Sequence, residues 1–133
     1  MARFESIAIV DRTLVALDLE TTGLSPRLDR IIEVGAVRFQ GDEVIATFQS
    51  LVRPEVGIPR AVQELTGIRD ADVAAAPQPE EVLAQLIDFV GTSGVVAHSG
   101  NFDLSFLVDL TCRASCCRPC PATASRTCPA SLG

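Results

Sequence analysis

The chain has 133 residues, with 17 acidic side chains against 11 basic ones, all arginine, a net charge of −6 and 47% hydrophobic residues. That length suits one domain, and no apolar run approaches the roughly 18 residues a membrane span needs, so a soluble, unexported, cytoplasmic protein is expected. The acidic balance argues against a general electrostatic grip on nucleic acid, so handling a polyanion would require bound cations.

In chain order, Leu14-Val15-Ala16-Leu17 reads as a short strand ending in Asp18-Leu19-Glu20, and Thr-Thr-Gly-Leu-Ser-Pro reads as the turn after it. Ile31 to Phe39 reads as a second strand, with Gly35 marking a bulge or a close backbone approach. Gly41-Asp42 forms a turn, and Glu43 to Val52 completes an antiparallel meander. After Pro54 and Pro59 the pattern turns helical. Arg60 to Leu65 and Asp70 to Ala75 are short helices, stopped by Gly67 and Pro77.

Pro79 to Val90 is the stronger helix. It has Glu80 and Glu81 in its first turn, where the helix dipole favours anions, and Val82, Leu83, Leu86, Ile87 and Val90 at helical spacing. Gly91 and Gly94 bracket a loop before Val95-Val96-Ala97-His98, which reads as a short buried strand. Asn101 to Leu110 is then a helix with Phe102, Phe106 and Leu107 apolar. The order implies a mixed α/β sheet.

Asp18 and Glu20 are two apart on a strand, so both side chains leave one face while Leu17 and Leu19 leave the other. Two neighbouring carboxylates repel, and a divalent metal is the natural way to keep both ionised. Taken alone, the pair fits an exposed acidic strand end equally well.

The context decides between these readings. Asp18-x-Glu20-Thr21-Thr22-Gly23-Leu24, followed by Arg30-Ile31-Ile32-Glu33-Val34-Gly35-Ala36-Val37, resembles the first exonuclease motif of the DEDD superfamily. Val96-Ala97-His98-Ser99-Gly100-Asn101-Phe102-Asp103-Leu104-Ser105-Phe106-Leu107 resembles that superfamily's second motif. Leu65-Thr66-Gly67-Ile68 resembles the segment after the third strand in proofreading exonucleases of the DNA polymerase III epsilon-subunit type.

The resemblance implies a ribonuclease H-like mixed sheet and 3′-to-5′ exonuclease chemistry on single-stranded or frayed 3′ ends. DNA and RNA both stay open as substrates, and so does a polymerase or helicase as partner. It also implies Asp18, Glu20 and Asp103 as ligands of two Mg2+ or Mn2+ ions. Two ions roughly 3.5–4 Å apart activate a water and stabilise the leaving 3′ oxygen.

By the same resemblance, Asp18 bridges both ions, Glu20 completes one and Asp103 holds the other. Thr21, Thr22 and Gly23 lie in a tight turn that is either a simple connection or one whose small side chains and backbone N–H groups approach the terminal nucleotide. Leu24 and Ile68 are either base contacts or core residues, and Phe102 belongs to the core. Arg27 and Arg30 face phosphate or solvent. His98 precedes the second motif's Phe-Asp pair and is structural, or supports the ligands from behind them together with Ser99, which replaces the family's usual Asn.

The family's third motif, His-x-x-x-x-Asp, has no counterpart, because no acid follows Asp109 and no histidine follows His98. Loss of the base would slow water activation by about 10²–10⁴-fold. Residues 1–110 therefore read as a partial exonuclease domain, incomplete at its C-terminus. Its rival is a non-catalytic fragment that binds a nucleic-acid end or a polymerase in a metal-dependent way.

Residues 111–133 carry three arginines, no acid and all five cysteines (Cys112, Cys116, Cys117, Cys120 and Cys128). This Cys- and Pro-rich tail, taken as disordered or non-native, has three readings. The first is a zinc site on Cys117-x-x-Cys120, which lacks a second clean pair, and the second is a disulfide framework, which lacks an oxidising context. The third is a shifted reading frame. A TGC codon preceded by C reads as CTG one base earlier, which places leucines at helical spacing at 112, 116, 117, 120 and 128.

Overall fold

A computed structural model describes residues 11–116. Its central strand β1, Thr13–Thr21, alternates strictly: Val15, Leu17 and Leu19 are buried, and Asp18 points the other way and is exposed. β1 runs past Leu17 to include both acids, because β2 (Ile31–Gln40) stays paired with it from Thr13↔Gln40 to Glu20↔Glu33. β3, Glu43–Leu51, continues the antiparallel meander.

Gly35 holds regular pairing opposite Asp18 and Gln49. The irregularities fall instead at Glu20/Thr21 and Arg38/Phe39, so the bulge expected at Gly35 is corrected to those two places. The first of them presents both Ile31 and Ile32 to apolar surroundings, one to each of two core clusters.

α1 (Arg60–Thr66) ends on Gly67, whose φ of +77° is a left-handed conformation that suits glycine, and the Gly67 N–H donates to the Gln63 carbonyl at 2.9 Å. α2 (Asp70–Val73) is shorter than expected. Ile58, Ile68 and Val73 from this region pack with Ile32 as the smaller cluster.

α3, Pro79–Val90, buries Val82 and Leu86 against the sheet, with Phe89 and Val90 packed beside them. Ile87 instead faces solvent at 60% exposure, because the buried stripe follows Val82, Leu86 and Phe89 and leaves Ile87 off its axis. Arg38 donates a guanidinium N–H to the Phe89 carbonyl near the end of α3 and stacks over the Phe89 ring, 4.6 Å from its centroid.

β4, Gly94–Ala97, pairs parallel with Leu14 to Leu17 and gives the sheet order β3-β2-β1-β4. This mixed order is the one expected of a ribonuclease H-like sheet. The expectation of a buried last strand is corrected, however. β4 is the edge of the described sheet, and Val95 and Val96 are 53% and 42% exposed.

α4 spans Gly100–Cys116, six residues beyond the expected end at Leu110. Phe106 is buried in the main cluster and Phe102 packs against it, their ring centroids 4.9 Å apart. Cys112 is an exposed free thiol. Cys117, Cys120 and Cys128 lie outside the described residues, as does most of the segment to which the zinc, disulfide and shifted-frame readings refer.

The packing of α3 makes a direct prediction. Leu86→Ala should lower stability in urea unfolding by about 2–4 kcal/mol, whereas Ile87→Ala one position on should change it by less than about 0.5 kcal/mol.

Candidate active site

The site begins with the pleat of β1. Asp18 and Glu20 share one face because Leu17 and Leu19 are needed in the core, at 6% and 5% exposure. Across the strand pair, Asp18 faces Gly35 and Glu20 faces Glu33, whose carboxylate accepts a bond from Gln49 at 2.7 Å. With no side chain at Gly35, Asp18 borders a shallow depression of about 480 Å³ lined also by Val37, Thr47 and Gln49. The larger depression, about 670 Å³, lies at the other end of β1 around Arg12, Thr13 and Arg38.

The third carboxylate arrives from α4. The β1–β4 ladder ends at the pair Leu17↔Ala97, one residue short of Asp18. His98 and Ser99 turn the chain, Gly100 starts the helix, and the Asp103 N–H donates to the Ser99 carbonyl at 3.0 Å. Asp103 is thereby brought to the stretch of β1 that β4 leaves free, and it is only 4% exposed.

Electrostatics report the convergence. Burial raises the Glu20 pKa, and the charges of Asp18 and Glu33 raise it further. Burial also raises the Asp103 pKa, with Asp18 adding to the rise. Hydrogen bonding from the backbone N–H groups of Leu19 and of Asp103 itself, together with nearby His98, pulls part of it back. Asp18 thus acts on both of the other two.

Carboxylate oxygens from three side chains, with Asp18 repelling both of the others, are the kind of donor a hard divalent cation takes. Among the described residues no three such side chains are already drawn together at gripping distance, so a cation would have to gather them. In its chemistry the set fits a hard divalent cation.

The other expected site residues divide by burial. Thr21 Oγ1 donates to the Gly23 carbonyl at 2.6 Å and closes the turn, while Thr22 is 3% exposed and belongs to its scaffold. Leu24 stands out at 84% exposure. Ile68, at 8%, packs with Ile32, Ile58 and Val73, so the structure places it in the core. His98 and Ser99 are exposed in the turn before α4. Arg30 donates to the carbonyls of Arg27 and Asp29, which ties it to its own loop.

Sequence reasoning missed Asp29 and Arg113. Asp29 organises the loop after the carboxylates, and its signal was an acid four residues beyond Ser25 in a Gly- and Pro-bearing turn. Arg113 donates to the carbonyls of Pro26 and Arg27 from α4, a long-range contact with no local signal.

With this geometry in place, the comparisons with known proteins agree. Residues 15–124 match the exonuclease family RNase_T, and the chain belongs to that family. It is 43% identical over 97 residues to the PolC-type DNA polymerase III of Thermotoga maritima, across 73% of this chain. It is 42% identical over 103 residues, or 77% of this chain, to that of Caldanaerobacter subterraneus. In both cases it spans only 7% of the relative's length.

Among solved structures, exonuclease I with bound product aligns over 77% of this chain and 26% of that one, with a TM-score of 0.68 and 20% identity. E. coli exonuclease I in complex with a dT13 oligonucleotide aligns over 77% of this chain and 24% of that one, with a TM-score of 0.67 and 20% identity. At that identity the likeness establishes the ribonuclease H-like exonuclease fold.

The raised pKa values fix a sign for stability. An acid whose pKa is higher in the folded than in the unfolded chain destabilises the fold while ionised, and this penalty is relieved as pH falls through the folded value. In EDTA, Asp103→Asn should therefore raise Tm at pH 7.5, on the order of 3 °C, because Asn fills the same buried place without the charge. The gain should fade as pH falls through the folded value and be gone by roughly pH 3, below the free-acid value, where the parent's acid is largely protonated in both states. Melts of the two proteins across that range check the sign.

Proposed function

We infer that the chain is a metal-dependent 3′-to-5′ exonuclease unit that hydrolyses the terminal phosphodiester bond of single-stranded or frayed DNA. The observation that carries this reading is the convergence of Asp18 and Glu20 on β1 with Asp103 on α4, in a chain whose family is exonuclease. Two Mg2+ or Mn2+ ions, when bound, supply the Lewis acidity that makes water nucleophilic and stabilises the leaving 3′ oxygen.

The protein's own residues do the rest. Asp18, coupled to both other acids, would hold the ions together with Glu20 and Asp103, and Glu20 would be placed to orient water. The Thr21–Gly23 turn lies directly beyond Glu20 in the chain, so its backbone abuts the terminal nucleotide, and exposed Leu24 offers an apolar surface to its base. Buried Ile68 holds the segment after α1 in place from within the core. His98 moderates Asp103 from the turn, and Ser99 anchors the first turn of α4 through its carbonyl.

The relatives are PolC-type DNA polymerases III, and exonuclease I has been solved with dT13. We accordingly assign this unit a DNA substrate, a polymerase context and a cytoplasmic place. No helix among the described residues is long and apolar enough to cross a membrane.

A second reading rests on a specific observation: within residues 1–133 no acid follows Asp109 and no histidine follows His98, so these residues alone offer three carboxylates and no histidine beyond the second motif. In that reading the unit grips a 3′ end without cutting it.

One experiment separates the two. A 3′-labelled single-stranded oligonucleotide is incubated with the chain and Mn2+, beside Asp18→Ala and an EDTA control. Cleavage abolished by both controls, at a rate about 10²–10⁴-fold below that of an enzyme with a histidine base, is the expected result. Mn2+-dependent binding without cleavage establishes the second reading. A folded protein that neither binds nor cuts overturns both.

A further inference from the structure

The loop between β1 and β2 is more tightly built than its exposure suggests. Thr22 donates its N–H to the Arg30 carbonyl at 2.8 Å, and the Arg30 N–H returns to Thr22 Oγ1 at 2.9 Å. The same Thr22 hydroxyl donates to Asp29 Oδ1 at 3.2 Å, and the Ser25 N–H donates to Asp29 Oδ2 at 2.9 Å. The Asp29 N–H closes the ring onto the Ser25 carbonyl at 2.7 Å.

One carboxylate therefore joins both sides of the loop. It also lies over Gly23: a Cβ built there would stand 2.4 Å from Asp29 Oδ2 and 2.6 Å from its Cγ, so the loop closes this tightly only around a glycine. From outside, Arg113 fastens the loop's far side to α4, donating to the Arg27 carbonyl at 2.8 Å and the Pro26 carbonyl at 3.2 Å. α4 is the helix that carries Asp103.

We propose that Asp29 is a positioning residue of the exonuclease site: by bridging Thr22 and Ser25 over Gly23 it holds the turn beyond Glu20 closed against the 3′-terminal nucleotide. The proposal rests on the exonuclease reading above. Asp29 touches neither metal nor reacting atoms in this role. Its effect passes through backbone that hydrogen bonds hold in one place, which is the pre-organisation a terminal-nucleotide pocket needs. A turn held closed should therefore discriminate between a free 3′-hydroxyl end and one that carries an additional phosphoryl group.

The test uses the full chain and two readouts that do not depend on turnover. Mn2+ affinity is measured by titration calorimetry. Affinity for fluorescent oligonucleotides ending in 3′-hydroxyl or 3′-phosphate is then measured in Mn2+, at temperatures too low for cleavage. The parent should prefer the hydroxyl end.

Asp29→Ala and Asp29→Asn should keep Mn2+ affinity within about twofold, since the metal ligands are untouched. They should lose roughly tenfold in affinity for the hydroxyl end and with it the preference over phosphate. Asp29→Asn keeps the side-chain volume and one acceptor, so it carries the test if the alanine variant does not fold. Gly23→Ala should lower Tm far more in the parent than in Asp29→Ala, where the obstructing carboxylate is gone.

Unchanged end preference in folded Asp29 variants overturns the proposal and leaves the exonuclease reading intact, as does a Gly23→Ala cost that is the same in both backgrounds. A parent that binds neither Mn2+ nor 3′ ends removes the exonuclease reading, and this proposal with it.

Discussion

The parallel pairing of β1 with β4 is the constraint on which the rest of the structure depends. β1 lies between β2 and β4, so its backbone is committed on both sides from Leu14 to Leu17, and its core-facing residues Val15, Leu17 and Leu19 have no freedom to rotate outward. β4 then stops one residue before Asp18. That early stop sends the chain through His98 and Ser99 into α4 beside the unpaired edge of β1, and it makes a meeting of Asp103 with Asp18 and Glu20 possible.

The site is assembled against its own electrostatics. Hydrophobic burial of Leu17, Leu19 and Phe106 forces three acids into one region, and two of them respond with raised pKa values. In a protein selected only for stability such a cluster is a fault. In an exonuclease such a cluster would favour a divalent cation, because the repulsion relieved on binding would add to the attraction of each ligand.

Much of the fold was legible because it rests on local rules. The alternation in β1, the glycine stop at Gly67 and the apolar stripe of α3 each follow from the period of one element. The carboxylates were legible too, from their order and motif context. What escaped reading depends on partners far along the chain. Val95 and Val96 look like a buried strand in isolation, yet they lie at the edge of the described sheet, and no local feature of four residues says which neighbours it will have. Ile87 fits the helical spacing as well as Leu86 does and still faces solvent, because the sheet's position selects one stripe. Ile68 and Leu24 were equal candidates for base or core, and packing separated them, 8% exposed against 84%.

By itself the sequence determined the chemistry: an acidic chain, two acids two residues apart at a strand end, a third on a helix after Phe102, and nothing acidic beyond Asp109. Residue type and short-range spacing suffice for these, since side-chain direction along a strand is set by a period of two. Only the tertiary structure decided that the acids converge, that Asp29 closes the loop over Gly23 and that Arg113 ties that loop to the helix bearing Asp103. The last of these contacts joins residues 86 apart in the chain, and such contacts exist only once the sheet has brought its connecting segments together.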